Sequence, residues 1–240
     1  MKGIFITFEG IEACGKSTQS NLLVKRLKME GYRVRLLREP GGTAIGKEVR
    51  HTLLHSIRNF SMANETELLL MNASRAQLVR EVIRPSLAAG EIVVCDRFYD
   101  STTAYQGYGR RLDLAVVRAI TEFAIAGIHP NITILLNVSL GVSESRRARR
   151  DKSGKRQPDR LEKSGRSFFK RVLTGFKAVA GTHKARFRVI DGELPMNVIS
   201  HKIWEIVIEE IRRSQSKAQR RHQTVQPIVG SFRLGRKRPA

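Results

Sequence analysis

Hydrophobic residues along the chain form short runs, separated by stretches in which apolar positions recur at helical spacing. Five runs have the length and composition of buried strands, at residues 4–8, 34–37, 92–95, 132–138 and 187–190. Because strands that alternate with helices usually pair in parallel, the pattern predicts an α/β fold, with a five-stranded parallel sheet flanked by helices on both faces.

The segments between these runs predict helices. Leu27 precedes Gly31, a glycine placed to end the first helix. A longer helix is expected over residues 68–83, broken near Pro85, because proline lacks the N–H that a helix interior needs. Two more helices are expected at residues 114–126 and 198–211.

Helical periodicity weakens in two basic segments. Residues 146–162 become polar, with Gly154 and Pro158 as breakers, which predicts a flexible basic flap inside the fold. After Ile211 the sequence is too polar to bury much surface. We therefore expect one domain over residues 1–213, with a lid at about 146–160, and a disordered basic tail over residues 214–240.

The formal net charge is +22, and its distribution is uneven. Residues 146–188 carry sixteen Lys and Arg against three acids, and residues 212–240 carry nine with no acid. The rest of the chain holds nineteen of each sign. A neutral body with two basic segments leaves two readings open for each segment: contact with phosphate groups, or plain solvated charge.

Composition favours a soluble cytoplasmic protein. No apolar run approaches the roughly 20 residues that cross a bilayer, and the N-terminal segment lacks a small-residue cleavage site. The two cysteines, Cys14 and Cys95, are too few for a disulfide framework. We therefore expect a cytoplasmic location and no membrane partner.

A phosphate-binding motif follows the first strand. Gly10, Gly15, Lys16 and Ser17 match G-x-x-x-x-G-K-[ST] between a strand and a helix, which is the context the motif requires. Backbone N–H groups of such a loop converge on phosphate oxygens, the lysine reaches the β and γ phosphates, and the serine is a Mg²⁺ ligand. The motif predicts a P-loop NTPase fold that binds ATP and Mg²⁺. Cys14 is interpreted as a tolerated small residue, with a redox role as the alternative.

Polar residues also follow the third strand. Asp96 and Arg97 come directly after it, at the carboxyl end where open α/β sheets bind ligands. Asp96 is expected to support the Mg²⁺ shell and Arg97 to hold a second phosphate, with an ordinary ion pair as the alternative. The segment AYQGYGRR at residues 104–111 suits a planar polar ligand or a plain surface loop.

Six ordered motifs resemble those of thymidylate kinases, the P-loop enzymes that phosphorylate dTMP. They are FEGIEACGKST at 8–18, REPGGT at 38–43, SRAQL at 74–78, DRFYDSTTAYQGYGR at 96–110, PDRLE at 158–162 and VIDG at 189–192. The resemblance spans about residues 3–211. It implies conversion of dTMP to dTDP in dTTP synthesis, with ATP as co-substrate, Mg²⁺ as cofactor and a homodimeric state.

The resemblance also implies roles for individual residues. Glu12 would accept a hydrogen bond from the 3′-hydroxyl of dTMP, Arg75 would contact thymine, and Arg97 would grip the monophosphate. The implied dTMP contacts are Glu12, Pro40, Met71, Arg75, Arg97, Ser101, Tyr105 and Gln106. The implied ATP contacts are Gly10, Ile11, Glu12, Ala13, Cys14, Gly15, Lys16, Ser17, Thr18, Arg160 and Asp191, and the implied metal ligands are Ser17 and Asp96.

Some members of this family carry an arginine after the P-loop carboxylate, and others supply basic residues from the lid. Ala13 occupies that position, so the chain resembles the second kind. Lid arginines would then neutralise charge during phosphoryl transfer. The candidates are Arg146, Arg147, Arg149, Arg150, Arg156 and Arg160. The expected catalytic set is Lys16, Glu12, Arg97, Arg150 and Arg156.

Two alternatives to a thymidylate kinase stay open at the level of sequence. Met71 stands where the family commonly has a phenylalanine that stacks on thymine, which is compatible with a related nucleoside or nucleoside-monophosphate kinase of shifted specificity. The basic residues 214–240 are compatible with a protein that binds nucleic acid through this tail alone.

Overall fold

The computed structural model describes residues 3–56, 61–152 and 158–223. Its strands are β1 Ile4–Glu9, β2 Val34–Arg38, β3 Ile92–Asp96, β4 Ile132–Asn137 and β5 Phe187–Asp191. They form one parallel sheet in the order β2-β3-β1-β4-β5. The five predicted strands and the parallel α/β fold are confirmed.

The described ranges contain nine α-helices. They are α1 Lys16–Met29, α2 Ala44–Leu54, α3 Asn64–Leu78, α4 Arg84–Ala88, α5 Tyr99–Thr102, α6 Leu114–Ile125, α7 Leu140–Lys152, α8 Arg166–Thr182 and α9 Met196–Gln223. Two π-helical turns, Val79–Ile83 and Thr103–Gly109, continue α3 and α5. Among these described helices, none combines the length and apolar character needed to cross a membrane.

The expected break near Pro85 is wrong. α3 passes into the π-helical turn Val79–Ile83 and then directly into α4, where Pro85 stands in the first two positions. Arg84, directly before the proline, donates its N–H to Val79 O in the wider hydrogen-bond spacing of the π-helical turn, and Pro85 has no N–H to donate. The helical path therefore continues through the proline.

The last helix is longer than the periodicity predicted. α9 runs to Gln223, beyond Arg213, where we expected the folded domain to end. The segment after Arg213, SQSKAQRRHQ, contains no glycine or proline, and Gln, Lys, Ala and Arg are good helix formers. α9 therefore continues past Arg213 although the residues there no longer form an apolar face. Residues 224–240 of the expected tail lie outside the described residues.

The sheet is covered on both faces. Every residue of β1 and β3 is buried, which explains why these strands read as continuous apolar runs instead of alternating ones. One core cluster joins Phe8 to Phe169 on α8, and another joins Phe5 and Val93 to Ile125 on α6. Packing on both faces holds the strands in place, and with them the edge of the sheet at which their carboxyl ends lie.

That edge positions the functional site. β1 lies between β3 and β4, and Phe8 in β1 is opposite Asp96 in β3. From β1 the chain winds to β2 on one side and later to β4 on the other, so β1 marks the point where the winding direction changes. The loops that follow β1 and β3 therefore open side by side.

Candidate active site

The loop between β1 and α1 encloses the ammonium group of its own lysine. Lys16 Nζ donates to the carbonyl oxygens of Gly10 at 2.9 Å and Ile11 at 2.8 Å, and lies 3.5 Å from Cys14 Sγ. Gly10 and Gly15 have φ of 137° and 105°, a conformation that L side chains rarely adopt. The loop is therefore shaped by its motif glycines and leads into the positive end of α1, which favours anions.

α7 contacts the outside of this loop. Ser143 Oγ donates to the carbonyl of Glu12 at 2.8 Å. Arg146 donates to the carbonyls of Ala13 at 3.5 Å and Gly192 at 3.0 Å. An arginine from the helix that begins the flap thus lies beside Ala13, the position that lacks a P-loop arginine.

The two predicted metal ligands are in direct contact. Ser17 Oγ donates to Asp96 Oδ2 at 2.5 Å, which joins the start of α1 to the end of β3. A hydroxyl and a carboxylate are hard oxygen donors, and Mg²⁺ bound with a nucleotide needs only one or two protein ligands, since water and phosphate complete its shell. The pair therefore fits Mg²⁺. The described residues hold no cluster of three or more His, Cys, Asp or Glu that could bind a metal unaided.

Arg97 lies at the centre of a partly buried hydrogen-bond network. Its Nη1 donates to Gly10 O at 3.0 Å and Ser101 Oγ at 2.9 Å, and its Nη2 donates to Glu12 Oε1 at 3.0 Å and Tyr105 Oη at 3.1 Å. Tyr105 Oη also donates to both carboxylate oxygens of Glu12, at 2.7 and 2.8 Å. Burial raises the pKa of Tyr105 well above its ordinary value, so the phenol stays a donor.

A buried carboxylate supports the turn that carries Arg97. Glu9 Oε1 accepts hydrogen bonds from the backbone N–H of Phe98 at 2.8 Å and of Ser101 at 3.3 Å, and its Oε2 accepts from Ser101 Oγ at 2.5 Å. Burial, reinforced by the negative charge of Asp100, raises the pKa of Glu9 to about 7. The turn is therefore held by a group that titrates near neutral pH.

Glu9→Gln is expected to remove part of the pH dependence of stability. The folded state favours the protonated carboxyl, so the contribution of Glu9 to the free energy of unfolding falls as pH rises from 4.5 to about 7. The shift corresponds to about 3 kcal/mol. Urea unfolding at pH 5 and pH 7.5 should show a smaller difference in the variant than in the unsubstituted protein. The exposed Glu30→Gln should change nothing, and an equal pH dependence in all three proteins would contradict this account.

Arg75 is held by three neighbours. Its Nε and Nη2 donate to Glu39 Oε2 at 2.9 and 2.7 Å, and its Nη1 donates to Asn72 Oδ1 and Thr102 Oγ1, both at 2.9 Å. A guanidinium has five N–H groups, so one on Nη2 is left for a ligand. Glu39 Oε1 is buried with no hydrogen-bond partner in the described structure.

One cavity of about 390 Å³, a volume typical of small-ligand sites, brings these groups together. All eight residues predicted to contact dTMP line it: Glu12, Pro40, Met71, Arg75, Arg97, Ser101, Tyr105 and Gln106. Among the predicted ATP and metal contacts, Ala13, Gly15, Lys16, Ser17, Thr18 and Asp96 line it as well. The loop predicted to bind the triphosphate and the residues predicted to bind the monophosphate therefore line the same cavity.

The flap arginines are divided among several contacts. Arg150 lines the cavity and pairs with Asp151 at 3.1 Å and Glu162 at 3.0 Å. Arg147 lies over the ring of Phe169, 4.6 Å from its centroid. Of the remaining candidates, Arg149 is exposed and Arg156 lies outside the described residues.

Among the predicted ATP contacts, Gly10, Ile11 and Cys14 of the P-loop do not line this cavity, and neither do Arg160 and Asp191. Arg160 donates through Nε to Leu53 O at 3.1 Å and hydrogen-bonds the carboxylate of Glu67 on α3. The neighbouring Leu161 packs on Leu53, so the return of the flap is anchored on α2 and α3. Asp191 lies at the exposed end of β5 and accepts from the backbone N–H of Glu193 at 2.9 Å. These ATP roles remain predictions.

Comparison with known proteins agrees with this geometry. Residues 8–203 match the family model described as thymidylate kinase. The chain belongs to the thymidylate kinase family. A thymidylate kinase of Deinococcus radiodurans is 44% identical over 208 residues, covering 87% of this chain and 98% of that protein. One of Geobacter sulfurreducens is 42% identical over 212 residues, covering 88% and 99%.

A solved thymidylate kinase agrees in fold. The crystal structure of the enzyme from Ehrlichia chaffeensis matches with a TM-score of 0.69 at 32% sequence identity. The match covers 86% of this chain and all of that one. The parallel sheet and its flanking helices are therefore the thymidylate kinase architecture.

Three buried carboxylates of this thymidylate kinase family member escaped the sequence analysis. Glu9 ends a buried strand, Glu39 lies between an arginine and Pro40, and Glu67 lies on the same face of α3 as Met71. The signal that could have found them is an acidic residue at a position where the pattern predicts burial. A buried charge is costly unless it is paired, so such an acid indicates a nearby partner. Their partners come from distant segments and could not be assigned.

Proposed function

We propose that this protein transfers the γ-phosphoryl group of ATP to dTMP, giving ADP and dTDP. The observation that carries the proposal is the single cavity lined both by the P-loop residues Lys16 and Ser17 and by Arg75 and Arg97. Membership of the thymidylate kinase family supports the same reaction.

Positioning and charge neutralisation drive the transfer, and no covalent intermediate is needed. The P-loop N–H groups and Lys16 hold the triphosphate. Arg97 holds the acceptor phosphate, for which its guanidinium exchanges some of its present hydrogen-bond partners. Ser17 and Asp96 would hold Mg²⁺, which supplies neutralisation of phosphate charge when bound. The two phosphates then meet between the loops that follow β1 and β3.

The sugar side of the acceptor site is built from Glu12 and Tyr105. The Glu12 carboxylate accepts from Arg97 and Tyr105 and still has lone-pair capacity for the 3′-hydroxyl of dTMP. Its charge is balanced by Arg97 at 3.0 Å, so it does not oppose phosphate binding. The Tyr105 ring packs at steep angles to the rings of Phe168 and Phe176, and these contacts hold it in place to pack against the deoxyribose.

The flap supplies the positive charge that Ala13 lacks. Arg150 lines the cavity, and Arg146 contacts the P-loop backbone at Ala13 without lining the cavity. The Arg150 pairs with Asp151 and Glu162 leave its guanidinium partly exposed, at 29% of the side chain. In our proposal these two arginines neutralise charge on the transferred phosphoryl group.

A panel of nucleoside monophosphates tests the proposed reaction. ADP release from ATP should be far faster with dTMP than with dUMP, CMP or AMP, and should require Mg²⁺. The measurement is steady-state kcat/KM for each acceptor at saturating ATP. Equal turnover of all four acceptors, or none with dTMP, would exclude the proposal.

We further propose that two copies associate through α3 and α6. These helices pack on each other and expose large apolar side chains, with Leu69 55% exposed, Val116 51% and Phe123 79%. Exposed apolar surface of this kind favours burial against a second copy. Sedimentation equilibrium should give twice the 27.1 kDa of the chain, and a mass of one chain would refute the dimer.

A further inference from the structure

Glu67 accepts hydrogen bonds from three side chains, one of which, Gln106, lines the cavity. Gln106 Nε2 donates to its Oε1 at 2.8 Å. Arg110 donates through Nε to Oε1 at 3.1 Å and through Nη2 to Oε2 at 2.9 Å, and Arg160 hydrogen-bonds Oε2. Glu67 itself is fully buried.

The ionisation state of Glu67 decides which way its partners must face. Burial opposes the charge, but hydrogen bonds and charge from Arg110, with help from Gln106 and Arg160, outweigh it and hold the pKa of Glu67 below its ordinary value. An ionised carboxylate can only accept hydrogen bonds. The amide of Gln106 must therefore turn its nitrogen toward Glu67.

The opposite end of that amide is thereby directed to the ligand. Gln106 lines the cavity, and within the described residues its Oε1 forms no hydrogen bond. Reversing the amide would bring Oε1 against the carboxylate, so that two acceptors would face each other in a buried place. Gln106 consequently offers the base an acceptor and not a donor.

We propose that Glu67 is a positioning residue that sets base selectivity by locking the Gln106 amide with its oxygen toward the acceptor base. This inference rests on the proposed function. A base whose ring nitrogen carries a hydrogen, as N3 does in thymine and uracil, can donate to that oxygen. Cytosine carries no hydrogen at N3, so at this position two acceptors would face each other, the base nitrogen and Gln106 Oε1.

The remaining N–H of Arg75 also favours thymine over cytosine. A donor suits the O4 carbonyl of thymine and opposes the amino group of cytosine. Arg75 is oriented by Glu39, Asn72 and Thr102, independently of Glu67. Loss of Glu67 should therefore weaken discrimination between the two bases without abolishing it.

Glu67→Gln tests the inference, because an amide at position 67 can either accept from or donate to Gln106 and so permits both orientations. We expect the ratio of kcat/KM for dTMP to kcat/KM for dCMP to fall by about tenfold or more. The matched control is Glu65→Gln, an exposed carboxylate on the same helix, which should leave the ratio within about twofold of the unsubstituted protein. A merely structural role would lower both rates together and leave the ratio unchanged, which would overturn the inference.

A measurement on the unsubstituted protein covers the case in which Glu67→Gln does not fold. The side-chain amide protons of Gln106 should exchange with water at least about tenfold more slowly than those of Gln77, whose amide bonds the carboxylate of Glu81 at the surface. Exchange as fast as that of Gln77 would overturn the lock. Absence of dTMP turnover in the unsubstituted protein would overturn both the proposed function and the role of Glu67. If the unsubstituted protein turns over dTMP normally and Glu67→Gln has the same ratio of kcat/KM for dTMP to kcat/KM for dCMP, only the role of Glu67 is overturned.

Discussion

Replacing Lys16 with alanine is expected to lower kcat by about 1000-fold or more, on the scale of losing a group that stabilises the transition state. Lys16 is buried at 7% exposure, and its ammonium is held by the carbonyls of Gly10 and Ile11 inside the P-loop. Within the described residues, no other lysine lines the cavity. ADP release at saturating ATP and dTMP measures the effect.

The Lys16→Ala variant should still fold. Its side chain makes hydrogen bonds only within the P-loop, and the sheet core is formed by other residues. Lys25→Ala, an exposed lysine on the same helix, serves as control and should keep its rate and its thermal midpoint. A folded Lys16→Ala protein with a kcat within about tenfold of the unsubstituted enzyme would contradict the assigned role.

The second large effect is expected for Arg97→Ala, which should lower kcat/KM for dTMP by about 100-fold to 1000-fold and leave KM for ATP nearly unchanged. The four Nη hydrogens of Arg97 are donated to Gly10, Ser101, Glu12 and Tyr105, so the fork binds a phosphate by exchanging some of these partners for phosphate oxygens. The same side chain orients Glu12 and Tyr105. Arg97→Lys should recover only part of the loss, because an ammonium lacks the planar fork. Initial rates with each substrate varied in turn separate the two KM values.

Arg97 also bears on stability, so a matched control is needed. Its φ is 74°, and its removal leaves the Glu12 carboxylate partly buried with Tyr105 as its remaining side-chain partner. Arg111 has a similar φ of 63° but is exposed. Arg111→Ala therefore reproduces the backbone and charge changes outside the site, and dTMP kinetics should stay normal. An equal loss in both variants would assign the effect to backbone strain or overall charge.

Much of the fold could be predicted because its signals are local. β1, β3 and β4 are buried on both faces, and such strands appear in the sequence as uninterrupted apolar runs. The P-loop is equally local, since its glycines and its lysine lie within one turn between a strand and a helix. Helix ends were less predictable, as Pro85 and the length of α9 show. A proline can sit at the start of a helical turn, and propensity can extend a helix that has no apolar face.

The site residues that sequence analysis selected with motifs lie together, whereas their supporting partners were missed. All the residues predicted to contact dTMP line one cavity. The acids that orient them, Glu9, Glu39 and Glu67, were not selected. Arg160 was selected for ATP but is bound to Glu67 on α3. A side chain's partner depends on which segments meet in space, and no periodicity along the chain records that meeting.

The sequence by itself determined the class of fold, the phosphate-binding loop and the family resemblance, because each depends on residues a few positions apart. Only the tertiary structure decided which charges are paired. It joined Ser17 at the start of α1 to Asp96 at the end of β3, and it placed Arg146 beside Ala13. It also enclosed Glu67 between two arginines and Gln106. Those contacts set ionisation and hydrogen-bond direction, since both depend on burial and on the distance between charges.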